Sequence, residues 1–130
     1  MSDLALLVGR VLFGGLFLYN GINHFRNRAG MVGYATFKGV PAPALAIVAS
    51  GAWLIVSGLS IMLGAWPQIG ALMIAVFLLG VTPVMHNYWA VTDANQRLND
   101  FINFQKNMGL LGAALMLLSI PAPWPYSIAP

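Results

Sequence analysis

The sequence predicts an all-α integral membrane protein, a bundle of four transmembrane helices joined by short loops. Three observations predict it. The chain of 130 residues carries six basic and three acidic residues, 7% charged, where a soluble domain is about a quarter charged. Its mean hydropathy is +0.79. The apolar residues also fall into four runs of about twenty, the number that a helix rising about 1.5 Å per residue needs to cross roughly 30 Å of hydrocarbon. None of the four has the polar stripe of a soluble bundle helix. The polar connections, 26–42 and 90–100, are too short for a second core, so residues 1–130 form one domain.

The first helix is expected over 4–25. Met1-Ser2-Asp3 lacks the basic start of a cleavable signal and no small-residue cleavage site follows, so this helix acts as its own insertion signal. Within the next loop, 31–38 sets Met31, Val32, Tyr34 and Phe37 among polar neighbours, the pattern of a short surface-lying helix or of a plain loop. Pro41 and Pro43 stand at the entry to the second helix, 44–65, where a missing N–H costs little. Pro67 does the same for the third, 68–89. Pro83 removes a donor one turn before His86 and predicts a kink. The fourth helix, 101–120, begins near Asp100 or Phe101. Pro121-Ala122-Pro123-Trp124-Pro125 ends it and offers Trp124 and Tyr126 as interfacial anchors. Ser60 with Gly64, Ala71 with Ala75 and Gly109 with Ala113 mark faces for close helix packing.

Charge sets the orientation. Arg26, Arg28 and Lys38 follow the first helix; Arg97 and Lys106 lie between the third helix and the body of the fourth. With four crossings these loops share one side. The positive-inside rule makes that side cytoplasmic and puts both termini on the outer side of the cell's inner (plasma) membrane. The net charge of +3 follows no face, which excludes nucleic acid as a partner. The chain has no cysteine, which excludes a thiol–disulfide relay and an iron–sulfur cluster held by its own thiolates.

The polar residues gather at one depth. Asn20, Asn23 and His24 end the first helix, His86, Asn87 and Trp89 end the third, and Lys106 with Asn107 lies in the second turn of the fourth. Such groups are costly in a membrane unless paired or wet, so the cluster is a candidate site. The competing reading is a hydrated helix end with snorkelling side chains. The ligand-binding candidates are His24, His86, Lys106, Asn107, Asn23, Asn20, Trp89 and Arg10; no catalytic residue and no metal site is assigned. Lys106 is expected to turn inward toward His86 and His24. Arg10, about 9 Å inside the outer end of its helix, either snorkels toward Asp3 or faces the bundle near Ser57 and Ser60.

In this order, Gly9-Arg10-Val11-Leu12-Phe13-Gly14, Phe17-Leu18-Tyr19-Asn20-Gly21-Ile22-Asn23-His24-Phe25, Gly39-Val40-Pro41-Ala42-Pro43, His86-Asn87-Tyr88-Trp89 and Phe104-Gln105-Lys106-Asn107-Met108-Gly109-Leu110-Leu111-Gly112 resemble the DoxX family of small four-helix membrane proteins. The resemblance spans nearly the whole chain. It implies association with membrane redox systems: quinone reduction linked to sulfur oxidation, terminal oxidases, or detoxification of reactive oxygen or quinones. Family members often carry a glutamate in the second helix, about ten residues before the glycine that matches Gly64. This chain has Leu54 there and no glutamate anywhere, so a proton relay loses its obvious acid.

The first functional reading is a quinone-binding or quinone-linked component of a membrane redox system. A quinone needs an apolar slot and a few donors; His24, His86, Lys106 and Asn107 supply donors, and Phe25, Tyr88, Trp89 and Phe104 supply walls. With no flavin or nucleotide motif, electrons must come from a membrane or peripheral redox partner or a bound cofactor. The alternative is a non-catalytic scaffold or accessory subunit of a larger complex, and a homo-oligomer is compatible with either. A b-type haem between His24 and His86 is the weakest of the three. A transporter has little support, because the midplane carries no charge and no helix has an unwound centre.

Overall fold

The computed structural model describes residues 2–130. It consists of α1 (Ser2–Arg26), α2 (Arg28–Phe37), α3 (Pro43–Leu63), α4 (Pro67–Met85), a 3-10 turn at Tyr88–Ala90, and α5 (Ala94–Leu118). Ser2–Arg26, Pro43–Leu63 and Pro67–Ala90 are each long and apolar enough to cross a membrane. The protein is a helical membrane protein with three such spans rather than the four expected. α5 falls outside the set because its first half is polar, with amides from Asn95 to Asn107 interleaved with Arg97, Asp100 and Lys106. It also begins seven residues before 101. Asp93 takes its N-cap, the carboxylate accepting from the Gln96 N–H at 2.9 Å, which satisfies one orphan donor of the first turn.

Prolines start α3 and α4 as expected. The residues before them, Ala42 and Trp66, take positive φ of 46° and 47°. Of the two readings for 31–38 the helix is the one that forms, and it starts earlier, at Arg28. α2 lies against α3 and α1 with Ala35 buried.

Packing runs in series, α1 on α3, α3 on α4, α4 on α5. Each pair is antiparallel: Gly14 meets Gly58 and Gly21 meets Gly51, Ser60 meets Gly70 and Trp53 meets Met73, Gln68 meets Ile120 and Thr82 meets Asn107. The tightest seam is α1–α3, and its small residues are not those singled out by sequence spacing. A Cβ on Gly58 would stand 2.7 Å from the Gly14 carbonyl oxygen; one on Gly21 would stand 2.8 Å from that of Gly51. Backbone therefore meets backbone at two levels, one turn pair apart. Gly109, expected at a packing face, has nothing within 4 Å, whereas Ala71 and Ala75 are buried. Gly64 ends α3 with φ 68°, the left-handed cap that glycine adopts without a Cβ penalty.

The segment after α5 folds back over the end of α3. The Ile128 N–H donates to Leu63 at 3.1 Å and the Trp66 N–H to Pro130 at 2.9 Å. Trp124, expected as an interfacial anchor, is buried, with its indole N–H on the Ile120 carbonyl at 3.2 Å. Tyr126 is exposed as expected. Between these ends, Phe17, Leu54, Ile61, Ile74, Leu78, Ala114 and Trp124 form a continuous core.

Candidate functional site

Above Phe17, Leu54 and Leu78 the core stops and a cavity of about 1080 Å³ opens toward the end of the bundle where α2 lies. Its walls come from all five helices and are mostly apolar. Residues at positions 20, 23 and 24 share one side of α1 by helical spacing. The structure brings Asn20, Asn23, His24, His86, Lys106 and Asn107 to this one cavity. Two other candidates lie elsewhere.

Arg10 is at the opposite end and is fully buried. It neither snorkels to Asp3 nor faces Ser57 and Ser60. Its guanidinium donates to the carbonyls of Met62 at 3.3 Å, Pro125 at 2.5 Å and Tyr126 at 2.9 Å, and it lies 5.9 Å from the centre of the Trp124 ring. It thus caps the Met62 carbonyl at the C-terminal end of α3, where the helix dipole favours a cation, and through Pro125 and Tyr126 it holds the final segment in place. Trp89 is 60% exposed and lies outside the cavity. The third apolar run stops being helical at Met85, four residues short of 89, and His86 departs at φ −125°. Tyr88 then packs edge-on against Phe101 and Phe104 at 4.9 and 5.4 Å and carries Trp89 away with it.

The cavity's polar atoms have defined partners. His24 is buried, and its Nδ1 meets the Asn20 carbonyl at 2.6 Å. A carbonyl can only accept, so Nδ1 carries the proton. His86 Nδ1 meets Asp100 Oδ1 at 3.3 Å. The Asn107 amide nitrogen donates to Thr82 Oγ1 at 3.2 Å. Lys106 is exposed on the cavity rim and makes no hydrogen bond to either histidine among the described residues. Because α5 starts at Ala94, Lys106 stands in its fourth turn rather than its second.

Asp100 is the residue that sequence reasoning missed. It is fully buried and gathers three groups, the Lys38 ammonium, the Tyr34 hydroxyl and the His86 imidazole, from the end of α2 and the end of α4. Lys38 pairs with Oδ2 at 2.7 Å and also donates to Asn87 Oδ1 at 2.8 Å; the Tyr34 hydroxyl donates to Oδ1 at 3.4 Å, beside His86. Asp100 lies outside the three apolar spans. Burial alone would raise its carboxyl, but the hydrogen bonds and charge of Lys38 and His86 outweigh it and hold the group below the usual carboxylate range. It is therefore ionised, and His86 Nδ1 donates to it. Burial and the same carboxylate push the Tyr34 phenol up, keeping it a donor. Lys38, read from the sequence as a basic loop residue that sets the orientation, is held in this network. The signal available in the sequence was the presence of just three acidic residues, one of them beside a predicted helix start.

Comparison with known protein families matches residues 5–87 to DoxX. The chain belongs to the DoxX family. No curated protein and no solved structure matches it. The DoxX match covers α1 to α4 and ends at Asn87, so α5, with Asp100, Lys106 and Asn107, stands outside it. Position 54, where DoxX-family proteins often carry glutamate, holds a leucine that is 1% exposed in the core beneath the cavity. It lies roughly 12 Å along α3 from Met62, at about 1.5 Å per residue, so the arginine's partners here are carbonyls well away from that position.

Proposed function

We propose that this DoxX-family protein is a quinone-binding component of a membrane redox system. The observation that carries the reading is the cavity of about 1080 Å³, apolar in its depth and ringed at one end by His24, His86, Lys106 and Asn107. Phe17, Leu78 and Leu110 offer surfaces for a flat ring and an isoprenoid tail, and the polar ring offers hydrogen bonds at the ring oxygens, the combination such ligands require. A quinone in this slot would carry the electrons, supplied or withdrawn by a membrane or peripheral partner protein, since this chain has no nucleotide or flavin motif. In the same reading α5 also crosses the bilayer beside α4, giving four crossings. The basic loops then face the cytoplasm at the inner (plasma) membrane, with both termini outside.

The test is direct. Protein purified in mild detergent is titrated with decylubiquinone, and its lipid extract is assayed for native quinone. Saturable binding that is lost in a His24→Leu, His86→Leu double variant of unchanged melting temperature supports the reading. No binding to the wild-type protein, together with a quinone-free extract, refutes it.

A further inference from the structure

α3 and α4 are packed together at one end and parted at the other. A Cβ on Gly70 would run into the Ser60 side chain, so the helices touch there. Two turns further along α3, the Trp53 indole N–H still reaches the Met73 carbonyl at 2.7 Å. Beyond Trp53 the seam opens. Ala46, Ala49 and Trp53 on α3 and Val76, Gly80 and Val84 on α4 all line the cavity, and their spacing sets each trio along one face of its helix. A Cβ on Gly80 would meet nothing within 4 Å, so no residue of α3 stands against it. Ala49, Trp53, Val76, Gly80 and Val84 are exposed as well as cavity-lining, which puts them at the lip of a lateral opening.

This opening lies within the depth of the bilayer. Its walls belong to Pro43–Leu63 and Pro67–Ala90, both long and apolar enough to cross a membrane, so the medium outside is hydrocarbon. On the walls only Ser50 and Trp53 carry a side-chain donor, and both are spent inside the protein, Trp53 on Met73 and the Ser50 hydroxyl on the Ile47 carbonyl at 3.2 Å. A surface that faces lipid needs this, because an unpaired donor there is costly. The side of the cavity formed by α1 and α5 differs. Asn20, Asn23 and Lys106 line it. Asn23 engages only its Oδ1, with the Asn27 amide, and Lys106 has no hydrogen-bond partner among the described residues. One side of the cavity is therefore polar with donors to spare, and the other is an apolar slot.

Building on the quinone reading above, we infer that the slot between α3 and α4 is the subsite for the ligand's hydrocarbon tail and its passage to the bilayer. The ring seats among the polar groups. Its tail runs out between Ala49 and Gly80, and Trp53, tied to Met73, closes the slot toward Ser60. The site takes a long-tailed quinone out of the lipid, and Ala49 and Gly80 are the positions that admit the tail. A large side chain at either would fill the passage without touching the groups that hydrogen-bond the ring.

The experiment uses the full chain in nanodiscs of dioleoylphosphatidylcholine. Dissociation constants are measured for decylubiquinone and for the same dimethoxy-methyl-benzoquinone ring without its tail. Ala49→Phe and Gly80→Phe, singly and together, are expected to weaken decylubiquinone at least tenfold and the tail-less ring less than twofold. Leu72→Phe, on an exposed face of α4 outside the cavity, should change neither. Equal weakening of both ligands by the slot variants, or weakening of neither, overturns the inference while leaving the quinone reading intact. A second measurement needs no variant. A decylubiquinone carrying a diazirine partway along its tail is photolysed on the wild-type protein and the adducts are mapped. Adducts within 46–53 or 76–84 are expected; adducts confined to α1, α2 or α5 overturn the inference. Failure of the wild-type protein to bind either quinone overturns both readings.

Discussion

The two ends of this protein both bury polar groups in an apolar bundle, and they do so in opposite ways. At the end closed by the C-terminal segment, Arg10 directs its guanidinium at three backbone carbonyls and against one aromatic ring. Chain fills every space around it. At the other end, Asn20, His24, His86 and Asn107 use some of their hydrogen-bonding capacity and keep the rest open to a cavity. A buried polar group with all its partners supplied by the fold belongs to the structure. One with unused capacity facing a space belongs to whatever occupies the space. The sequence placed Arg10 and His24 on the same candidate list, and only their partners separate them.

The largest effect that would test this contrast is at Arg10. Arg10→Met keeps the stem and strands the carbonyls of Met62, Pro125 and Tyr126, at about 1–3 kcal/mol for each buried group left unpaired. A loss of about 3 kcal/mol or more is expected by thermal unfolding in detergent, with the decylubiquinone affinity of the folded protein changed less than twofold. A variant that melts like the wild type but has lost ligand binding would reverse the assignment of the two ends.

A middle-sized effect is expected from acid. Asp100 has a lower pKa folded than unfolded, so the unfolded chain takes up its proton first as pH falls. Its contribution is complete above the ordinary carboxylate value of about 3.9, declines as pH drops below that, and is gone once pH has passed the folded value. Melting temperatures between pH 6 and pH 3 should fall more steeply for the wild type than for Asp100→Asn. Parallel curves would mean that the Lys38–Asp100–His86 network does not anchor α5 to the α2 end.

Lys106 should give the smallest stability change. It is exposed and without a hydrogen-bond partner among the described residues, so Lys106→Met should alter stability by no more than about 0.5 kcal/mol, as unpaired surface substitutions do. Quinone affinity should nevertheless weaken several-fold, because the rim loses its charged donor. Unchanged affinity would make Lys106 a membrane-orientation charge and nothing more.

Much of the fold was legible in the sequence, and the reasons are local. Pro43 and Pro67 start α3 and α4 because the first helical position has no use for an N–H. α5 was misplaced because its cap, Asp93, is followed by amides rather than an apolar run, so periodicity gave no start signal. The cavity residues were found because helix ends alternating across a bilayer must put 20–24, 86 and 106–107 at one depth. What each does there was not legible. Arg10's partners are backbone carbonyls, which any residue supplies, and Asp100's network joins side chains 62 and 14 positions away. Trp89 went wrong through a helix end displaced by four residues, enough to turn a side chain from one face to another.

The Arg10 contacts also bear on how the chain is made. Two of the three carbonyls that receive its guanidinium come 115 and 116 residues later in synthesis. During biogenesis α1 therefore enters the bilayer with a charge whose partners do not yet exist, at a translocon cost of about 2.5–3.5 kcal/mol at the helix centre and less toward the edge. The α1–α3 glycine seam can form while translation continues; the lock cannot. Assembly thus has a built-in last step, in which the tail reaches back to the first helix, and a ribosome that stalls before Pro125 leaves an intermediate with its arginine unsheathed in lipid.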